Sequence, residues 1–275
     1  MVEIIILVND IAKEGFSFEH GFSAGIIFNN KYILFDTGLE KSLKINAGKL
    51  GVDISKYESL VISHGHYDHT GGIDFVLEAN NNINIYAHPE FFRERYSIYP
   101  AKEPKNISIP EKIKFLLINK FKDNIIFTND VKEIFPNVFL TGEIPRLTPF
   151  EDVGGPFYLD KYKDKKDDLI DDQAIWIDDE DGLVIITGCC HSGLINTINK
   201  VLKNSKFSHI KAIIGGFHLV NASIDRLNKT IEFLNKLDIE KLIPCHCTGD
   251  NAITTFKERL HCEVLDCKGG AFFSL

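Results

Sequence analysis

The chain has 275 residues, of which 44% are hydrophobic and 25% charged, and a formal net charge of -8. That length accommodates one large domain, or one domain with an insertion, at the composition of an ordinary globular protein. The acidic balance argues against a general nucleic-acid binder, which carries a basic face, and no apolar run is long enough to span a bilayer.

Residues 2–8 (Val-Glu-Ile-Ile-Ile-Leu-Val) read as a first strand. No basic segment precedes it, so no signal peptide is expected. A cytoplasmic protein follows, with its six cysteines present as reduced thiols or ligands. A small-residue loop over 17–25 carries His20, a lone histidine between phenylalanines, to which no role is assigned. Strands at 26–28 and 31–35 flank Asn29-Asn30, a hairpin turn. The second of them ends in Asp36-Thr37-Gly38, ahead of a helix over 39–50. Asp36 either orients a ligand histidine through its ring N–H or caps that helix, and the two roles are compatible.

The next strand, over 57–62, runs into Ser63-His64-Gly65-His66-Tyr67-Asp68-His69-Thr70-Gly71-Gly72, followed by a helix from 73 to 79. Three imidazoles and a carboxylate fall within six residues, on a strand-to-helix loop of the kind where α/β sheets place their chemistry. His64 and His66 are two apart, so in extended backbone their rings share a face and grip one ion. Asp68 and His69 follow the turn and reach a second. Two ions about 3.5–4 Å apart clamp both oxygens of a displacement. Strand 83–87 then ends at His88-Pro89, where a packed histidine is the better reading.

Residues 90–165 hold most of the nine prolines and several short strand-like runs: 115–118, 125–127 and 138–140. They read as an inserted cap or an elaborated sheet edge over the active site. Within them Arg146 follows a turn; it forks onto a phosphate or carboxylate, or makes a surface salt bridge. The run 160–168 mixes both charges and reads as a solvated loop.

From 171 a regular pattern resumes. Strands at 174–177 and 183–186 precede Thr187-Gly188-Cys189-Cys190-His191-Ser192-Gly193 and a helix over 194–204. A strand at 210–214 ends in Gly215-Gly216-Phe217-His218-Leu219, with a helix over 223–236. A strand at 241–243 ends in Pro244-Cys245-His246-Cys247-Thr248-Gly249, with a helix over 251–260. Three successive strands thus end in histidine-bearing loops, and parallel strands gather such loops on one edge. Cys245, Cys247, Cys262 and Cys267 lack paired C-x-x-C spacing and make a poor separate zinc site.

The His-Gly-His-Tyr-Asp-His cluster resembles the signature of the metallo-β-lactamase superfamily, and the resemblance extends over nearly the whole chain. It implies an α/β fold, a four-layer αββα sandwich formed as a single domain over 1–275, with the cap at about 90–165. It also implies one composite site: His64, His66 and His191 on a first ion, and Asp68, His69 and His246 on a second. His218 is left as a catalytic or substrate-binding residue, with a ligand role as its rival. Two positions depart from the usual pattern. Asp171-Asp172-Gln173 stands where many members have a glycine-flanked histidine, which His191 replaces. Gly188-Cys189 stands where many have Gly-Asp, so Asp172 or Cys189 takes the bridging place. A thiolate there favours zinc or iron; without it manganese or magnesium becomes possible.

The motifs at 142–146, 171–174, 187–193, 215–219 and 244–249 are similar to those of one subgroup. Its members are the 7,8-dihydropterin-6-methyl-4-(β-D-ribofuranosyl)aminobenzene-5′-phosphate synthase-like proteins. That resemblance implies a metal-dependent transferase of dihydropteroate-synthase type in tetrahydromethanopterin biosynthesis. Its partners are small molecules: a hydroxymethyl-dihydropterin diphosphate and an aryl ribofuranosyl phosphate. No nucleic acid or membrane is involved, and the oligomeric state is open. His218 or Asp68 moves the proton and Arg146 holds the second substrate's phosphate. The alternative is a hydrolase in which the same two ions activate water against a phosphodiester or another ester.

Overall fold

Val184 and Ile186 face one way from their strand, Leu183 and Ile185 the other, and all four are buried. A strand buried on both faces needs a packed layer on each side. The computed structural model, which describes all 275 residues, supplies those layers. Val184 and Ile186 join Ile4, Ile26, Phe35, Ile175 and Ile214 between two sheets. Leu183 and Ile185 pack with Trp176, Ile213 and Leu242 under helices Leu194–Asn204, Ile224–Leu234 and Asp250–Arg259. On the far side Leu34, Leu60 and Ile85 pack under helices Ser42–Leu50, Ile73–Ala79 and Glu111–Lys120. The result is a four-layer αββα sandwich. Each fully buried aliphatic side chain in these layers contributes about 1.5–3 kcal/mol.

The first sheet runs in the order Phe272–Ser274, Val2–Val8, Ser23–Phe28, Lys31–Phe35, Ser59–Val61, Asn84–Ala87 and Ile125–Phe127. The second runs Glu263–Val264, Ile239–Cys245, Ile210–Gly216, Gly182–Thr187, Ala174–Asp179, Val138–Leu140 and Lys132–Phe135. Gly182–Thr187, Ile210–Gly216 and Ile239–Cys245 are parallel. Their histidine loops therefore leave the sheet on one edge. Ser59–Val61 is parallel to both its neighbours, and its end delivers the loop at 63–72. Asn29 and Asn30 take φ of 48° and 61°, the left-handed pair that a two-residue hairpin turn requires. No helix is long and apolar enough to cross a membrane.

Residues 90–165 are distributed over three sheets. Ile125–Phe127 extends the first and 132–140 the edge of the second. Tyr96–Ser97, Lys105–Asn106 and Phe157–Tyr158 form a separate three-stranded sheet. The run 115–118, strand-like in sequence, lies in a helix instead. Ile113 and Leu117, four apart, are buried, while Phe115 and Ile118 are exposed, so the period is helical.

The cysteines also differ from expectation. Cys245 and Cys267 form a disulfide with Cα atoms 5.4 Å apart. Both sit in the layer between the sheets, whereas Cys262 packs on the outer face of the second sheet. A zinc site built from these cysteines is thereby excluded, because the sheet separates them.

Candidate metal centre

The loop at 63–72 is fixed from below by carboxylates. Asp36 sits at φ 56° and accepts from Ser63 N (2.7 Å), Ser63 Oγ (2.6 Å) and the Nδ1 of His69 (2.7 Å). Asp171 accepts from Gly65 N at 2.8 Å and is gripped on both oxygens by Arg95 at 2.7 Å. Asp167 lies 2.9 Å from Arg95 Nε. Arg95 is 1% exposed, so this network is a buried support for the metal loop. Asp36 therefore contacts a ligand-type histidine and makes no bond to the helix that begins at Ser42.

His64, His69, His191 and His246 are each held at Nδ1. Ser63 Oγ spends its proton on Asp36, so it accepts from His64 Nδ1 at 2.9 Å. His64 Nε2 then faces His66 Nδ1 at 2.9 Å. His191 Nδ1 donates to Val153 O at 2.8 Å, and His246 Nδ1 meets Asp10 at 2.5 Å. The Nε2 atoms of His66, His191 and His246 are buried without a hydrogen-bond partner. Buried polar atoms are rarely left alone, and three within one cluster of packed imidazoles mark a place for an ion.

Cys189 Sγ is the shared member of the ligand sets. It groups with His64 and His191, with His69 and His246, and with His218 and Cys247, each set within 4.8 Å. Its Sγ is 3.2 Å from His69 Nε2. Asp68 Oδ2 lies 3.8 Å from His69 Nε2 and 3.5 Å from His246 Nε2. The structure thus brings His64 and His191 to one side of Cys189 and His69 and His246 to the other. His66 and Asp68 join no such set; the His66 ring lies 5.0 Å from that of His191, and Asp68 stands beside His69 and His246. Asp172 joins no such set; one oxygen accepts from Ser192 N at 2.8 Å and the other is unpaired. Nitrogen, sulfur and oxygen donors of this number suit one or two divalent ions. Cys190, His218 and His246 have φ of 61°, 43° and 45°, strained backbone gathered at the site. Gly188 admits no side chain, since a Cβ would meet Ser63 Oγ at 2.1 Å.

Electrostatics separates the two halves. Burial, then the neighbouring imidazoles His69 and His66, pushes His64 well below its usual range. Burial takes His66 down to about 3, and burial with His218 lowers His191. These rings are neutral and ready to ligate. Burial also opposes charge on His69 and His246. For His69 the carboxylates of Asp36 and Asp68 outweigh it; for His246, Cys247 and Asp10 do, so both are raised. Asp68 is likewise opposed by burial, but His69 and His246 hold its carboxyl well below the usual range.

Asp36→Asn is expected to lower metal affinity about 10–100-fold, the usual cost of losing a partner behind a ligand histidine. Asparagine tolerates the left-handed backbone, but it has one acceptor oxygen where Asp36 has two; with that oxygen kept on Ser63 N–H, its NH2 group faces Ser63 Oγ and His69 Nδ1 and accepts from neither. Competition with a chromophoric chelator measures this, and unchanged affinity would contradict the role.

Burial raises the Asp172 carboxyl from 3.8 to about 6. Between those values the folded chain holds a proton that the unfolded chain has released. Stability therefore falls as pH rises through that window, by about 3 kcal/mol in full. Asp172→Asn keeps an acceptor for Ser192 N–H and should flatten this slope in metal-free protein. Urea unfolding at pH 4, 5, 6 and 7 reads it, and parallel slopes for the two proteins would refute the assignment.

Other residues fall outside the sequence's expectation. His20 lies at the cleft with Nε2 3.2 Å from Asp68 Oδ2 and Nδ1 3.0 Å from Asp10. Asp10 and Cys247 also reach the centre. Asp10 and His20 carried no spacing signal, because they join the site only through the fold. Arg146 donates to Asp168 O at 2.5 Å and does not line the cleft described below. His88 is buried and accepts from Glu90 N, a packed histidine.

Above the centre opens a cleft of about 650 Å³. Asp68, Cys189, His218 and His246 lie at its floor, and Tyr67, Tyr99 and Phe157 line its wall.

An αββα sandwich with these donors converging at one edge defines a metal-binding protein. The chain belongs to the metallo-β-lactamase superfamily, whose family model matches residues 23–246. It is 32% identical over 271 residues to the 7,8-dihydropterin-6-methyl-4-(β-D-ribofuranosyl)-aminobenzene-5′-phosphate synthase of Methanocaldococcus jannaschii, covering 94% of this chain and 91% of that protein. It is 36% identical to an uncharacterised protein of the same organism, over 93% and 94% of the two chains. Among solved structures, it resembles one described as a metal-dependent hydrolase of the β-lactamase superfamily. The TM-score is 0.84 at 30% identity, covering 100% of this chain and 99% of the other. The metallo-β-lactamase-fold protein YhfI of Bacillus subtilis shares the fold at TM-score 0.59 and 14% identity, over the full length of both chains.

Proposed function

We propose that this protein is an enzyme, a cytoplasmic metal-dependent transferase that joins a 6-hydroxymethyl-7,8-dihydropterin diphosphate to 4-(β-D-ribofuranosyl)aminobenzene 5′-phosphate, releasing diphosphate. The observation that carries this is near full-length likeness to the synthase named above, on a chain whose cleft is roomy and aromatic-walled. Two divalent ions, held by His64, His66 and His191 and by Asp68, His69 and His246 with Cys189 between them, would neutralise the charge building on a departing diphosphate.

The chain's own groups do the rest. Phe157 stands 5.5 Å from the His66 ring and 5.9 Å from that of His218, so a flat heterocycle held there lies against the floor. His218 Nδ1 is buried without a partner, placed to take a proton from the attacking arylamine. Asp68, ionised among His20, His69 and His246, orients those rings and is a second route for the proton. We read the small sheet of Tyr96–Ser97, Lys105–Asn106 and Phe157–Tyr158, from which Ser97, Lys105 and Phe157 line the cleft, as part of a cap within a single domain.

A hydrolase is the second reading, favoured by the 30% identical relative described as one. The two differ in the nucleophile. Metal-loaded protein is incubated with both proposed substrates, following diphosphate release and the joined product. A generic phosphodiester serves as control. Turnover of the phosphodiester without condensation would overturn the transferase.

A further inference from the structure

The cleft has an uneven charge along its length. Asp10, Asp68 and the histidines occupy the floor, while the only lysine or arginine side chains lining it are Lys102 and Lys105, on the strap between Tyr96–Ser97 and Lys105–Asn106. This strap is not independent of the metal loop. Tyr67 N donates to Ile107 O at 3.1 Å, His66 pairs with Ser108, and Ile107 N donates to Arg95 O at 2.9 Å. The lysines are therefore held at a set height above the ligand residues.

Both ammonium groups lack a carboxylate. Lys31, Lys112, Lys211 and Lys257 each have an acidic partner within 4.0 Å, and neither Lys102 nor Lys105 does. Glu103, which also lines the cleft, pairs with neither. Their partners are aromatic. Lys105 Nζ donates to Tyr67 Oη at 2.6 Å and lies 4.5 Å from that ring; Lys102 Nζ lies 5.7 Å from the Tyr99 ring. Because Lys105 donates to it, the Tyr67 hydroxyl keeps its own proton for a further acceptor. Two ammonium groups without a carboxylate, and a phenol with its proton still to give, form a local anion trap in a protein of net charge -8. Lysine serves phosphate well as a compact point charge.

We propose that Lys102, Lys105 and Tyr67 form a subsite for the phosphate monoester of a sugar-phosphate substrate, within the cleft that the ligand residues also line. The role assigned to Arg146 from sequence passes to this group. The inference rests on the proposed function in that one substrate is an aryl riboside carrying a 5′-phosphate.

Ribose 5-phosphate and ribose are titrated calorimetrically into metal-loaded protein, for the native chain and for Lys102→Gln/Lys105→Gln. The native chain should bind ribose 5-phosphate and not ribose. The double variant should lose at least about tenfold in that affinity, and raising salt should weaken binding in the native chain only. Both lysines are exposed, so the variant keeps the fold. In condensation assays KM for the phosphorylated arylamine should rise with kcat nearly unchanged. Equal ribose 5-phosphate affinity in the two proteins would overturn the proposal, as would binding that survives the double substitution and disappears on metal removal. If lysine-dependent binding stands and no condensation occurs, the proposed reaction fails and the subsite does not.

Discussion

Cys189→Ser is expected to lower the number of metal ions bound per chain, and to slow the reaction at least about a thousandfold. The thiol is the one ligand atom grouped with both His64 and His191 and with His69 and His246. Burial first, and then the adjacent Cys247, holds it protonated well above the ordinary thiol range, so it ligates only by releasing that proton to an ion. Serine keeps the size but replaces a soft sulfur with an alcohol that gives up its proton far less readily. Wild-type protein should also take up zinc or iron in preference to magnesium, and the variant should lose that preference. Elemental analysis after reconstitution, with single-turnover rates, checks both effects. An unchanged metal content at an unchanged rate would remove Cys189 from the centre.

The second large effect lies beneath the metal loop. Asp171→Ala should lower the free energy of unfolding by about 3–5 kcal/mol, because Arg95, buried at 1% exposure, loses the carboxylate that pairs with both its Nη1 and Nη2 and keeps only Asp167 at Nε. The same change frees Gly65 N, whose acceptor is Asp171, and so loosens the segment between His64 and His66. Metal affinity should therefore fall together with stability. Arg95→Met combined with Asp171→Leu removes both charges, and its cost should be well below the sum of the two single substitutions. Denaturant unfolding of the four proteins measures the coupling; additive costs would mean that the pair does not act as a unit.

These two predictions mark where sequence reading succeeds and where it stops. The segment 171–173 looked like a gap in the metal pattern, a place where a histidine had been lost. In three dimensions it supports the metal loop. Asp171 holds Gly65 N, Asp172 holds Ser192 N, and Gln173 donates to Ile62 O and accepts from Thr128. Spacing reveals ligands because they must converge on a point; it says nothing of the acceptors behind them, which need only be near. The strand-like run at 115–118 failed for a related reason. Four apolar residues in a row fit either period, and only the neighbouring layer selects which of them is buried.

The sequence located most strands and helices, and its resemblance to a known superfamily supplied the architecture and the class of chemistry. Its apolar periods set the strands and helices, and each histidine loop follows a buried strand, so parallel pairing was bound to bring those loops to one edge. Only the tertiary structure decided which groups share that edge. It brought Asp10 and His20 to Asp68 and His246, chose Cys189 over Asp172 for the central place, and joined Cys245 to Cys267. It also turned Arg146 to a main-chain oxygen and left Lys102 and Lys105 facing the cleft. The physical reason is range: local patterns fix backbone conformation over a few residues, whereas a side chain's partner is set by where distant segments cross.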